Sequence, residues 1–189
     1  MTRVIAGVAG GRRLSVPRGR NTRPTSDRAR EGLFSSVGSS LGALDGVRVL
    51  DLYAGSGAVG IEALSRGAAH ALLVESDPRA AQVIRSNVAA VGLAGAVVAV
   101  GRVERVLAQG CAEPYDLVFA DPPYSVGDAE VVQVLGALRE YGWLVDHALI
   151  AVERESRGAD LIWPAGFEGE RVRRYGEAAI WYGRAAGSH

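Results

Sequence analysis

The chain has 189 residues and a mass of 19.8 kDa, the size of one domain or of a domain with a small appendage. Hydrophobic residues make up 48% and charged residues 22%, which excludes a disordered or fibrous chain. The single cysteine, Cys111, cannot close an intrachain disulfide. His70, His147 and His189 stand far apart, without metal-ligand spacing, so no metal is expected, and the chain reads as a reducing-compartment protein.

All 21 basic residues are arginine. The absence of lysine excludes the Walker-type phosphate loop, Schiff-base chemistry and the tyrosine–lysine pair of many dehydrogenases. Net charge is zero but uneven: residues 1–40 hold eight arginines against Asp27 and Glu31, a net of +6. A basic arm on an acidic body is the footprint of a nucleic-acid binder. The longest apolar run, Val88–Val100, has 13 residues and is broken by Gly92 and Gly95, short of the roughly 18–20 that cross a membrane. No export signal is evident, so a cytoplasmic protein is expected.

In chain order, residues 3–16 read as a hairpin around the Gly7–Gly11 turn, and a polar stretch then leads to a helix capped by Thr25 or Ser26. From residue 47 strands and helices alternate. Val47–Tyr53 is a strand and Ala58–Arg66 a helix; Ala71–Glu75 is a strand, and Asp77-Pro78 starts a helix that runs to about Val91. Ala96–Val100 is a strand, Val103–Ala108 a short helix, Tyr115–Ala120 a strand and Asp128–Tyr141 a helix. Ala148–Glu153 is a strand, and Arg171–Tyr175 with Ala178–Tyr182 form a closing hairpin. The expected fold is α/β: a doubly wound, mostly parallel Rossmann-like sheet, with an N-terminal hairpin and helix extension and a C-terminal antiparallel hairpin. Residues 1–40 form the extension and residues 41–189 the sheet domain.

In such a sheet, ligands bind at the carboxyl ends of the strands. The loop after the first domain strand, Ala54-Gly55-Ser56-Gly57-Ala58-Val59-Gly60, has the spacing of a nucleotide-binding turn, with Glu75 twenty residues after Gly55 to accept ribose hydroxyls. Asp51 argues against a dinucleotide, because a carboxylate at the loop mouth repels pyrophosphate and attracts a cationic head. S-adenosylmethionine has such a head. The second loop, Asp121-Pro122-Pro123-Tyr124, follows an apolar strand. Its prolines stiffen the backbone and forfeit donors, which leaves carbonyls free for a ligand. The Asp121 carboxylate and the Pro122 carbonyl suit the two N–H groups of an exocyclic amine, and Tyr124 suits stacking on a base.

VLDLYAGSGAVGIEALSRGA followed by VFADPPY resembles the class I adenosylmethionine-dependent amino-methyltransferases. RVIAGVAGGRRLSVP and TRPTSDRAREGLFSSV extend the resemblance to the bacterial small-subunit ribosomal RNA guanine-N2 methyltransferases (RsmD type), over essentially the whole chain. It implies methylation of the 2-amino group of one guanine in 16S rRNA, on a partly assembled small subunit, by a monomer without metal. Asp51, Tyr53, Gly55, Ser56, Gly57, Glu75, Arg102 and Val103 are then the cofactor-binding candidates. Asp121, Pro122, Pro123 and Tyr124 are the catalytic ones, and Arg12, Arg13, Arg23, Thr25 and Arg28 face the substrate. Two departures from the pattern stand out: Val8-Ala9-Gly10 lacks aromatic and basic residues, and Arg102 replaces a polar or acidic adenine contact. Competing readings are a DNA adenine-N6 or protein-glutamine methyltransferase, a non-catalytic RNA-binding assembly factor and, last, an NAD dehydrogenase.

Overall fold

The computed structural model describes residues 2–19 and 25–188. Fourteen elements follow the expected alternation: β1 (Thr2–Arg3), β2 (Arg13–Leu14), α1 (Asp27–Leu41), β3 (Arg48–Leu52), α2 (Ala58–Ser65), β4 (His70–Glu75) and α3 (Pro78–Val91) come first. They are followed by β5 (Ala96–Val100), α4 (Val103–Ala108), β6 (Tyr115–Ala120), α5 (Asp128–Glu140), β7 (Leu144–Glu155), β8 (Phe167–Tyr175) and β9 (Ala178–Ala185). The seven-stranded sheet has the order β5-β4-β3-β6-β7-β9-β8. Its first five strands are parallel, while β9 runs antiparallel to both β7 and β8.

Strand alternation sorts the core into two layers. Leu50, Leu52, Val118, Ala120, Ile150 and Val152 face α4 and α5. Val49, Leu117, Phe119, Leu149 and Ala151 face the opposite layer, where Leu33, Phe34 and Val37 of α1 meet α2 and α3. The chain winds outward from β3 through β4 to β5, then returns to lay β6 on the other side of β3. That reversal opens a crevice at the carboxyl ends of β3 and β6, the place where doubly wound sheets bind ligands. Local signals agree with the packing. Ser26 caps α1 by accepting from the Ala29 N–H, and Asp77 caps α3 with Pro78 in its first turn. α2 is buried on every side, so an apolar run with almost no amphipathic face is what its position demands.

Two expectations need correction. The N-terminal hairpin keeps only two residues in each strand, because its donors are drawn to α2 instead. The Ile5 and Ala6 N–H groups donate to the Glu62 carboxylate at 2.7 and 3.0 Å, and the Val8 and Ala9 N–H groups donate to Ser65. Gly7 is required there: its φ is +82°, and a Cβ would lie 1.9 Å from the Ser65 carbonyl oxygen. At the other end, β7 starts at Leu144, before the expected Ala148, with a register shift against β6 and His147 at a φ of 62°. β8 and β9 likewise extend beyond Arg171–Tyr175 and Ala178–Tyr182.

Arg30 and Glu62 lock the arm to the domain. Both side chains are fully buried and lie 3.5 Å apart. Arg30 also reaches Asp27 and the Arg3 carbonyl, and Glu62 holds Arg66 at 2.8 Å. Burial lowers the Arg30 pKa, and the facing carboxylates of Glu62 and Asp27 oppose that effect. Removing one partner of such a pair strands a buried charge, which costs about 3–5 kcal/mol. Glu62→Ala therefore destabilises the protein by about that much in urea unfolding, and it makes the amides of Ile5 and Ala6 exchange faster with solvent.

Candidate active site

The crevice is a cavity of about 630 Å³. Its lining comes from the carboxyl ends of β3, β4, β6 and β7, from the N-terminal segments Val16–Pro17 and Thr25–Ser26, and from the turn between β8 and β9. Among the described residues that line it, seven carboxylic acids face one cation, Arg102. That balance favours a cationic guest and disfavours phosphate.

The first loop is built from β3 into α2. Asp51 is buried, and its Oδ2 accepts from the Gly60 N–H at 3.0 Å. The amides at the start of α2, which a pyrophosphate would need, are thus already partly engaged: Asp51 holds Gly60, and the Ser56 hydroxyl accepts from the Ala58 N–H at 3.3 Å. Burial, with Glu75 adding repulsion, pushes the Asp51 carboxyl up to about 8, against the stabilising Gly60 hydrogen bond. Gly57 caps α2 with a φ of 80°, and a Cβ there would press on Ile84 and Leu73 at 3.0–3.1 Å. At Gly55, with φ of 60°, a Cβ would meet nothing within 4 Å, so the backbone is open to a ligand.

Glu75 carries two internal contacts: Oε1 accepts from the Gly55 N–H and Oε2 from the Asp77 N–H, both at 2.9 Å. Each oxygen keeps a lone pair for a ligand hydroxyl. Tyr53 lines the cavity in the left-handed region, at a φ of 59°. Such a conformation in a bulky residue is strained and marks functional sites. Its buried hydroxyl has no hydrogen-bond partner among the described residues. Burial, then Glu104 and Glu130, push that hydroxyl up to about 12. Val103 is buried in the cavity wall, whereas the Arg102 side chain is 77% exposed at the rim.

The second loop leaves β6. Asp121, Pro122, Pro123 and Tyr124 all line the same cavity, with Tyr124 half exposed. Thr25 reaches in from the N-terminal segment, and its hydroxyl stands 3.5 Å from Asp121 Oδ2. A residue absent from the sequence reading completes this corner. Glu153 of β7 is buried, lines the cavity and lies within hydrogen-bonding reach of Asp121. Burial raises both carboxyls; Glu153 pushes Asp121 further up, whereas the hydrogen bond with Asp121 draws Glu153 back down. One signal was available in the sequence: like Asp51, Glu75 and Asp121, Glu153 is an acid at the end of a strongly apolar strand.

Of the arginines assigned to substrate, Arg12 and Arg13 are exposed on the hairpin and do not line the cavity; Arg12 Nη1 lies 3.4 Å from the Ala90 and Val91 carbonyls. Arg28 is exposed on α1, and Arg23 lies outside the described residues. Tyr175 lines the cavity and packs on α1 so closely that a Cβ on Gly32 would lie 2.2 Å from its hydroxyl.

An acid-lined crevice at the switch point of a doubly wound sheet, with a glycine turn on one strand and a proline-stiffened acceptor loop on its neighbour, defines a Rossmann-like methyltransferase. The chain belongs to the family described as "Conserved hypothetical protein 95", whose model matches residues 2–184. It is 38% identical over 177 residues to ribosomal RNA small subunit methyltransferase D of Escherichia coli, covering 94% of this chain and 86% of that protein. It is 36% identical over 156 residues to the Haemophilus influenzae protein of the same name, covering 81% and 78%. Among solved structures, YhhF of Escherichia coli superposes with a TM-score of 0.85 at 36% identity, over 99% of both chains. TTHA0928 of Thermus thermophilus does so with 0.77 at 32%, over the whole of both.

The shift of Asp51 predicts a pH dependence. Its folded form holds a proton more tightly than the unfolded chain, from 3.8 up to about 8, so its ionisation costs stability as pH rises through that window. Asp51→Asn should match the natural protein in melting temperature near pH 4 and exceed it above pH 8 in the ligand-free state. Separately, Gly32→Ala should dislodge Tyr175, seen as a change in tyrosine fluorescence with the overall fold retained by circular dichroism.

Proposed function

We propose that the protein transfers a methyl group from S-adenosylmethionine to the 2-amino group of a guanine in 16S ribosomal RNA. The observation that carries this reading is the Asp121–Pro122 acceptor edge opening onto the acid-lined cavity beside the β3–α2 loop. The names of the relatives support ribosomal RNA of the small subunit as the substrate class.

The residues fit the cofactor. Asp51, which holds its proton up to about pH 8 in the free protein, ionises against an ammonium, Glu75 keeps lone pairs for ribose hydroxyls, the open face at Gly55 admits a close ligand, and the orphaned Tyr53 hydroxyl offers a polar partner. Val103 provides an apolar wall for the adenine and Arg102 a cation at its rim. When bound, adenosylmethionine supplies an activated methyl on its sulfonium, so no metal is needed.

The protein's own part is to hold an amine. Acceptors on both N–H groups draw the nitrogen lone pair out of the ring and toward the methyl, and they stabilise the charge that develops. A carboxylate also favours guanine over other bases. Guanine has a ring N–H on one side of its amine, from which a carboxylate on that side can also accept, whereas the ring nitrogen beside the amine of adenine or cytosine is bare and repels a carboxylate. Tyr124 serves as a stacking face for a base taken out of its helix. Residues 41–189 act as the methyltransferase domain, and residues 1–40 as the arm that closes over it. Exposed Arg12, Arg13 and Arg28, together with Arg23, bring phosphates to that arm, while Thr25 touches the acceptor loop. The protein works as a cytoplasmic monomer on partly assembled small subunits.

Asp121→Ala should retain adenosylmethionine binding by calorimetry yet transfer no tritiated methyl to small subunits from a strain lacking this gene. Mass mapping of the natural product should find the label on guanine N2; label on adenine or cytosine would overturn the base assignment. Asp51→Asn should weaken adenosylmethionine by about tenfold or more, as expected for loss of a charge-assisted contact.

A further inference from the structure

Glu153 and Asp121 meet because of strand register. Phe119 pairs with Ala151 and Ala120 with Val152, so the next residues, Asp121 and Glu153, fall side by side on the same face of the sheet. Both open on the same cavity, Glu153 is only 6% exposed, and the two side chains lie within hydrogen-bonding reach of each other. A hydrogen bond between two carboxyl groups requires a proton on one of them. Two carboxylates side by side in a cavity wall, one buried and one half-buried, cannot both ionise without a large repulsion.

We propose that Glu153 is a positioning residue for methyl transfer: it shares one proton with Asp121 across the two neighbouring strands, and the hydrogen bond so formed keeps the Asp121 carboxyl turned toward the amine. The inference rests on the amine chemistry proposed above. The nitrogen gains the methyl and loses one proton; the dyad accepts that proton and, now carrying two, returns one to solvent through the cavity. The charged and titratable groups around the pair reinforce the sharing. Asp51 faces it from β3, Glu177 and Tyr175 from the β8–β9 turn, Glu130 from α5, and Glu75, Glu104 and Arg102 from the far side of the cavity. The acids among them disfavour a second negative charge on the dyad. Thr25 adds an uncharged hydroxyl at Asp121. Burial raises both carboxyls, in keeping with a retained proton.

Glutamine separates a positioning role from a merely structural one, because its amide can hydrogen-bond Asp121 but can neither take up nor lose a proton. In single-turnover methylation of the same immature small subunits, Glu153→Ala should lower the rate about 100-fold, the low end of acid–base contributions, with half-saturation by adenosylmethionine unchanged. Glu153→Gln should recover most of that loss and keep the acid limb of the pH–rate profile. It should also lose the alkaline limb that deprotonation of the pair imposes on the natural protein. Carboxyl-carbon NMR of the free protein gives a second readout: Asp121 and Glu153 should titrate as a coupled pair, and Asp121 as a single group in Glu153→Gln. Independent titrations, or a glutamine variant as slow as the alanine one at every pH, overturn the proposal. If the natural protein methylates no exocyclic amine, the function proposed above fails instead, and the NMR titration still decides whether the pair holds its proton.

Discussion

Carboxyl groups at the ends of parallel strands organise this molecule. Asp51 near the end of β3, Glu75 at the end of β4, Asp121 just after β6 and Glu153 near the end of β7 all enter one crevice. Charges of one sign in a water-poor space repel strongly, so each must find a donor, a proton or a cation. The protein supplies donors to the first two, through Gly60 for Asp51 and through Gly55 and Asp77 for Glu75. The other two it pairs with each other. What is left over is negative potential, and it selects the guest.

The same constraint separates this site from a dinucleotide site that shares its glycine spacing. A pyrophosphate needs the free amides at the start of a helix. Here an internal carboxylate holds one of those amides, and a hydroxyl holds another. The glycines still matter, because their left-handed backbone brings the turn close to a ligand, but the charge they present is reversed.

The N-terminal arm is tied to this machinery by charge as well. Arg30, one of the eight arginines of the basic arm that the sequence suggests for nucleic acid, is fully buried against Glu62. Glu62 in turn holds the backbone of Ile5 and Ala6 and belongs to α2, whose first turn frames the glycine loop. Thr25, just ahead of α1, touches Asp121, and Tyr175 wedges against Gly32 of α1. The arm, the glycine loop and the acceptor loop are therefore mechanically continuous, so ordering of one bears on the others.

The AGSGAVG turn and the DPPY loop were legible because their chemistry is carried by neighbours in the chain: glycine and proline set backbone conformation locally, and apolar periodicity marks the strands that deliver them. The helices and most strand boundaries were legible for the same reason. Glu153 was not, because its meaning depends on β7 lying beside β6 in one register, and a single-residue slip would turn it to the other face. Arg30 was not, because composition counts charges without showing which are desolvated. The short N-terminal strands and the long β7 were likewise settled by hydrogen bonds to α2, β6 and β9, partners far away in sequence. Local sequence determined the elements and the two loops, since short-range sterics and periodicity decide those. Which acids share a proton, and which cation is buried, only tertiary packing decided, since both depend on distances between residues that the chain order leaves apart.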